Sequence, residues 1–255
     1  MPVRLKQLTA YLDGLLDIQR FTSDASNNGL QAEGTPEVNK AVFGVDASAA
    51  LFAAAADCDA DFIFTHHGIS WGGNLKYLTG MTADRIKLLF ANNMSLYAAH
   101  LPLDAHPIHG HNAILADMAG LLNRRMFCRY AGHEIGIAGE LPAATTAAAL
   151  AETIAARLNS NYTVFGDDTA IVRKPGIVSG GGGSDAVIAV LEAELDCLIT
   201  GEITHSHYHA VQESNLPVIA LGHYKSETPG VLRVMELIRK EFGIDCAFID
   251  QPTGL

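Results

Sequence analysis

The sequence predicts an α/β protein made of two related lobes. Three observations point there: short apolar strands alternate with helices, several strands run directly into histidine-bearing loops, and the plan of the first half recurs in order in the second.

Leucines at helical spacing among Arg4, Lys6, Gln7 and Asp13 make the first helix amphipathic. A polar stretch over 22–28 follows and ends in Gly29-Leu30-Gln31. Lys40–Asp46, with Ala-Val-Phe-Gly-Val inside it, reads as a buried strand, and an alanine-rich helix over 48–57 comes next. Residues 61–65, Asp-Phe-Ile-Phe-Thr, form a second strand that runs into His66-His67. A helix over 82–92 and a third strand over 95–99 lead to His100. Strands and helices in this alternation imply parallel βαβ units. In the second half, a strand over 176–179 is followed by a glycine run and a helix over 185–194. Asp-Cys-Leu-Ile-Thr at 196–200 then matches 61–65 at an offset of 135 residues (196 against 61). A helix over 206–214 precedes a strand over 217–221 that ends at Gly222-His223. His223 and Glu227 are four apart, as are His100 and Asp104. Residues 129–139 read as a strand or hairpin and 143–158 as a helix. The resulting division is one lobe over 1–125 and a second over 126–227, with 228–255 packing back on the first.

Composition excludes several classes of function. Hydrophobic residues make up 49% of the 255 and charged ones 18%, which is globular composition. A net charge of -11 without a basic cluster repels a nucleic-acid backbone. The longest apolar run, 47–56, falls short of the ~20 residues that span a bilayer, and the first 16 residues lack the continuous apolar stretch of a secretory signal. Cysteines 58, 128, 197 and 246 form no CxxC pair, so buried reduced thiols are expected. The expectation is a soluble, cytoplasmic protein with no membrane or nucleic-acid partner.

The chemistry concentrates at His66-His67. Polar groups at the carboxyl ends of parallel strands sit where α/β sheets form ligand crevices. Successive side chains of extended backbone diverge, which suits two neighbouring ions better than one. Neutral imidazole favours zinc, iron, manganese or nickel, and carboxylates bridge ions about 3.5–4 Å apart. Asp104, His223 and Glu227 stand at matching strand ends. A hydrogen-bonded histidine couple is the plainer alternative for the pair, and the repeated His-x-x-x-acid spacing weighs against it.

Five stretches resemble the NIF3-like family, also labelled GTP cyclohydrolase 1 type 2 homolog. They are Asn28-Gly29-Leu30-Gln31, Thr65-His66-His67-Gly68-Ile69-Ser70-Trp71, His100-Leu101-Pro102-Leu103-Asp104-Ala105-His106-Pro107, Thr200-Gly201-Glu202 and Gly222-His223-Tyr224-Lys225-Ser226-Glu227. They cover nearly the whole chain in order. Many members carry proline after the paired histidines, where this chain has Gly68, a change in loop stiffness rather than in a ligand. The resemblance implies one divalent ion on His66 and Asp104, another on His67 and His223, and Glu227 touching both. It also implies two α/β lobes with this dinuclear site in the cleft between them, and a toroidal homohexamer.

Other features keep two readings each. His100 is an extra ligand or orienting group, or simple strand-end packing. Glu202, at the repeat position of His67, is a general base or substrate contact, or a helix N-terminal carboxylate. His106, His109 and His111 lie in a loop from which one of them could reach the site, but loop histidines are usually solvated, and that reading is preferred for each. His205 and His209 share a helix face that His207 does not, but lack the intervening Glu of a metalloprotease. The run Ser179-Gly180-Gly181-Gly182-Gly183-Ser184 fits a tight turn better than a phosphate loop, and Trp71 fits a packing residue better than a base-stacking one. With no G-x-S-x-G motif, covalent catalysis is poorly supported. The expected function is metal-dependent hydrolysis of a small molecule, with a nucleotide such as GTP suggested by the family label. The alternative is a non-enzymatic metal-binding, metal-delivery or scaffold protein.

Overall fold

In the computed structural model, which describes residues 1–254, the chain divides into two compact units. Met1–Leu103 with Val231–Gln251 makes the first, and Asp104–Gly230 with the chain from Pro252 makes the second.

The first unit is built on a five-stranded sheet in the order Asp245–Phe248, Lys40–Asp46, Phe62–His67, Ser95–Ala98, Gly29–Ala32. The first four are parallel, and the last runs antiparallel to Ser95–Ala98. Side chains alternate between faces along a strand, and here both faces are covered. Phe43, Phe62, Phe64 and Tyr97 pack with Leu5, Leu8, Leu12 and Leu16, the apolar stripe of helix Leu5–Leu16. Val42, Ile63 and Leu96 pack instead with Leu51, Phe52 and Ala55 of helix Ala49–Asp57, joined by Leu89 and Met94. Ser48 caps that helix, its Oγ accepting from the Leu51 amide at 3.0 Å. Two strands of this sheet go unread in the sequence. Gly29–Ala32 has little β-branched content, and Asp245–Phe248 follows a long helix; both are edge strands.

The second unit has a six-stranded sheet ordered Thr163–Phe165, Val218–Ala220, Cys197–Thr200, Pro175–Val178, His133–Glu140, Leu122–Tyr130. The Val218, Cys197 and Pro175 strands are mutually parallel, and the remaining pairings are antiparallel. The region read as strand or hairpin over 129–139 is a hairpin whose first strand begins earlier, at Leu122. Helix His111–Ala119 belongs to this unit because Ala113, Leu115 and Ala116 share a core with Leu150, Ile154, Ile177 and Ile199. Where one helix was expected over 206–214, a 3-10 turn at His205–His207 precedes a short helix at Tyr208–Glu213. His205 and His209 therefore do not share one α-helical face.

The repeated plan of the sequence has a structural counterpart. Each sheet contains three adjacent parallel strands, and the matched segments 61–65 and 196–200 fall on the middle strand of each trio. All four cysteines are free thiols, three of them buried. Among the described residues, no helix is long and apolar enough to cross a membrane.

Candidate metal centre

In the first unit, three parallel strands bring their carboxyl ends together. Phe62–His67 ends in the paired histidines, Lys40–Asp46 ends in Asp46, and His100 follows Ser95–Ala98. Parallel pairing sets Asp46 opposite His67. His66 is fully buried and His67 half-buried. Their ring centroids are 4.5 Å apart, and the His100 ring lies 5.2 Å from the first and 5.7 Å from the second. One ligand atom from each of the three histidines falls within 4.8 Å of the others.

Each of these rings has its Nδ1 on an oxygen. His66 Nδ1 is 2.9 Å from the Ala99 carbonyl, His67 Nδ1 is 2.8 Å from Asp46 Oδ1, and His100 Nδ1 is 2.9 Å from Asp24 Oδ1. A carbonyl oxygen only accepts, so His66 carries its proton on Nδ1, and the carboxylates favour the same tautomer in the other two. Nε2 is then the lone-pair nitrogen of each ring, oriented by an oxygen on the far side, as in histidines that bind metals.

Asp24 and Asn28 support His100 from below. Asp24 also accepts from the amides of Ser26 and Leu101, at 3.0 and 3.1 Å, and from Asn28 Nδ2 at 2.8 Å. Burial alone would raise its pKa, but the hydrogen bonds from His100 and Asn28 hold it below the usual carboxylate range. Asn28 Oδ1 accepts from the His100 amide at 2.8 Å. Gln31 Oε1 accepts from the amides of Ile69 and Ser70, at 2.8 and 3.0 Å, clamping the loop after His67. A Cβ on Gly68 would run into the Gln31 amide and the Ala98 methyl, so this loop has no room for a side chain there. Trp71 donates from Nε1 to the Gly68 carbonyl at 2.8 Å and sets its ring edge against His100 at 5.1 Å, the packing role expected of it. Asp24 and Asp46 escaped the sequence reading. Asp46 carried a signal, an acid ending a buried strand, but Asp24 sits in an irregular polar stretch.

In the second unit, His223 opens the one-turn helix His223–Ser226 directly after strand Val218–Ala220. Its Nε2 lies 3.3 Å from Glu227 Oε1 and its Nδ1 lies 3.2 Å from Glu202 Oε1. The hydrogen bond to buried Glu227, against the cost of burial and with the help of Glu202, raises the pKa of His223 to about 9. The glycine run serves this pair. Gly180, with φ +63°, is seated where a Cβ would meet the Glu227 carboxylate and lie 3.2 Å from His223 Nε2. Its amide donates to Ser226 Oγ at 2.9 Å. The run is therefore a turn that makes room for two candidate ligands.

Asp104 is buried in the same unit. Its Oδ1 accepts from Ser179 Oγ at 3.0 Å, and the Ser179 amide donates to Asn112 Oδ1 at 2.7 Å. A carboxylate oxygen of Asp104 and a ring nitrogen of His111 lie within 4.8 Å of each other. His111 departs from the expectation of a solvated loop residue. It is fully buried at the start of helix His111–Ala119, and its Nδ1 accepts from the Gly230 amide at 3.1 Å. In the neutral ring the proton is then on Nε2, which makes His111 a donor rather than a ligand. His106 accepts the amides of Ile108 and His109 on Nδ1, as a loop residue does. His207 is held by Thr204 Oγ1 at 2.9 Å, and His209 lies against Tyr208.

The chain is similar to one family, one curated relative and two solved structures. Residues 3–254 match the family described as Duf34/NIF3 (NGG1p interacting factor 3). A protein of Archaeoglobus fulgidus named GTP cyclohydrolase 1 type 2 homolog is 41% identical, over 99% of this chain and 100% of its own length. Among solved structures, a structural-genomics protein called ybgI, of unknown function, superposes with a TM-score of 0.89 at 32% identity, covering 99% of this chain and 100% of that one. TTHA1606 from Thermus thermophilus does so at 0.86 and 35% identity, again over 99% and 100%.

Proposed function

Because this chain belongs to the Duf34/NIF3 family, we propose that it holds two divalent metal ions and uses them to hydrolyse a small molecule, a nucleotide or a near relative. His66 and Asp104 would hold one ion, His67 and His223 would hold the other, and Glu227 would serve both. The two units are then related lobes contributing to one dinuclear site, and the chain works in the cytoplasm as a homo-oligomer, a toroidal hexamer.

The observation that carries this reading is the common orientation of His66, His67 and His100, each with Nδ1 on an oxygen and Nε2 as its lone-pair nitrogen. Ordinary packing needs no such uniformity. Imidazole and carboxylate donors suit zinc, manganese, iron or nickel. Such an ion supplies Lewis acidity and lets water ionise near neutral pH, from about 15.7 to roughly 7.

The chain's own groups do the remainder. The Asp46 carboxylate and the Ala99 carbonyl orient the two paired imidazoles. Ser179 fixes Asp104 through a hydroxyl. Glu202, beside His223 Nδ1, is placed to take a proton from a reacting group and return it to a leaving one. His100, backed by Asp24, is the second proton carrier or an additional ligand.

Metal content per chain, measured after loading with zinc or manganese, tests the first half of the proposal. Wild type is expected to bind two ions, and His66→Ala, His67→Ala and His223→Ala to lose at least one. Two ions retained in all three variants would remove the ligand set. A panel of nucleotides, phosphoesters and peptides tests the second half. Stoichiometric metal without turnover on any of them transfers the site to metal storage, delivery or assembly.

A further inference from the structure

Gln31 lies in the edge strand Gly29–Ala32 of the first unit. Gly29 pairs with Ala98 and Leu30 with Tyr97, but the next partner, Leu96, faces Ala32, so Gln31 is left over as a β-bulge. A bulged residue leaves the ladder and turns its side chain in a new direction, often beside a functional site. Here that direction is the loop after His67. Besides accepting from Ile69 and Ser70, the Gln31 amide donates from Nε2 to the Asn27 carbonyl at 2.8 Å and to the Ser70 carbonyl at 3.3 Å. Its two acceptor and two donor positions are then all in use. Each end of this bridge reaches the support of a histidine. Ile69 and Ser70 stand two and three residues past His67. Asn27 directly precedes Asn28, which holds the His100 amide and donates to Asp24, the partner of His100 Nδ1. Further bonds join the same two segments: the Asn27 amide to the Ser70 carbonyl at 3.0 Å, the Gly72 amide to the Ala25 carbonyl at 2.7 Å, and Asn27 Nδ2 to Ser70 Oγ at 2.7 Å. Trp71, in this loop, has its ring 6.1 Å from His67 as well as 5.1 Å from His100.

We infer that Gln31 is a positioning residue for the candidate metal centre: one amide ties the loop after His67 to the segment that supports His100, so the two imidazoles are set as a pair. Only an amide of this length serves both sides. A glutamate could accept from Ile69 and Ser70 but not donate to Asn27, and an apolar side chain could do neither. The setting of the imidazoles stands on the hydrogen bonds alone, while its consequence for metal affinity rests on the proposed function.

Gln31→Met, which keeps the length and removes every one of these side-chain bonds, tests this in two arms on the full-length protein. In the first, imidazole NMR signals are recorded on metal-free, isotopically labelled protein at one fixed pH, and those of His67 and His100 are expected to shift together. In the second, cobalt(II) is the probe. Its affinity is expected to fall about 10- to 100-fold, the usual loss when the partner behind a metal ligand is removed, and its visible ligand-field bands to change. Asn27→Ala, at an exposed side chain, removes only the bonds to Ser70 Oγ and the Gly72 carbonyl. It should move the same imidazole signals and weaken cobalt about two- to tenfold, which keeps the test open if Gln31→Met fails to fold. Ile238→Ala, in the core of the same unit, should lower the melting temperature but leave the imidazole signals and cobalt bands as in wild type. A Gln31→Met protein that only melts earlier, a shift of His67 with His100 unmoved, or an Asn27→Ala protein identical to wild type in both arms would overturn the inference. Wild type that takes up no cobalt sinks the metal reading instead, and the metal-free signals still decide whether Gln31 sets the pair.

Discussion

A histidine is a metal ligand only when its proton is kept on the other nitrogen, and at the scale of the residue that is the main feature of this protein. Sequence could nominate His66 and His67, but the oxygens that hold their Nδ1 atoms come from Ala99 and Asp46, tens of residues away. Asp46→Asn removes the carboxylate behind His67 while preserving its shape. Zinc affinity is expected to fall about 10- to 100-fold, the usual consequence of losing such a partner, and a calorimetric titration reads it directly. An unchanged affinity would reduce the Asp46 contact to packing. His223 gives a second test. Its pKa is raised from 6.5 to about 9 in the metal-free protein, so its ion pairs stabilise the fold fully below pH 6.5 and are lost as pH rises through 9. A metal must displace that proton. Zinc binding at pH 7.5 is therefore expected to release a proton from His223 and to strengthen as pH climbs toward 9. Titrations in two buffers of different ionisation enthalpy count the protons, and an apparent affinity that declines between pH 7 and 8.5 would contradict the assignment.

Helices and strands follow the pattern of their apolar residues closely where burial is on one defined face. Leu5, Leu8, Leu12 and Leu16 recur at three- and four-residue intervals, and all four are buried against the first sheet. Leu12→Ala leaves a cavity in that contact and is expected to cost about 2–5 kcal/mol, read from chemical denaturation. A cost below ~1 kcal/mol would mean that the helix is dispensable to the sheet. Central strands such as Phe62–His67 were equally legible, since burial on both faces demands a continuous apolar run. The elements that escaped are edges and termini: Gly29–Ala32 and Asp245–Phe248 each pair with one neighbour only, so no two-sided burial writes itself into their composition. The turn at His205–His207 escaped for a different reason, because periodicity does not distinguish three residues per turn from 3.6 over so short a span.

Across the whole molecule, two units that each contain adjacent parallel strands present histidine and carboxylate groups after those strands, and the proposed function asks both to serve one pair of ions. Under that proposal, zinc at 100 times its Kd should stabilise the folded chain by about 2.7 kcal/mol for each ion bound. Thermal melts with and without zinc measure it, and His66→Ala and His223→Ala should each diminish the shift although they lie in different units. A shift that survives in either variant would confine the metal to one unit. The sequence by itself determined the α/β class, the repeated strand plan, the family and the candidate ligands, because each is written in local pattern: apolar runs, spacing, and polar residues at strand ends. Tertiary structure alone decided which oxygens orient each imidazole, that His111 is buried and accepts from the Gly230 amide rather than being a solvated loop residue, that the glycine run makes space for Glu227, and where a cavity opens beside Glu202. Those are relations between residues far apart in the chain, and only the closed fold sets their distances.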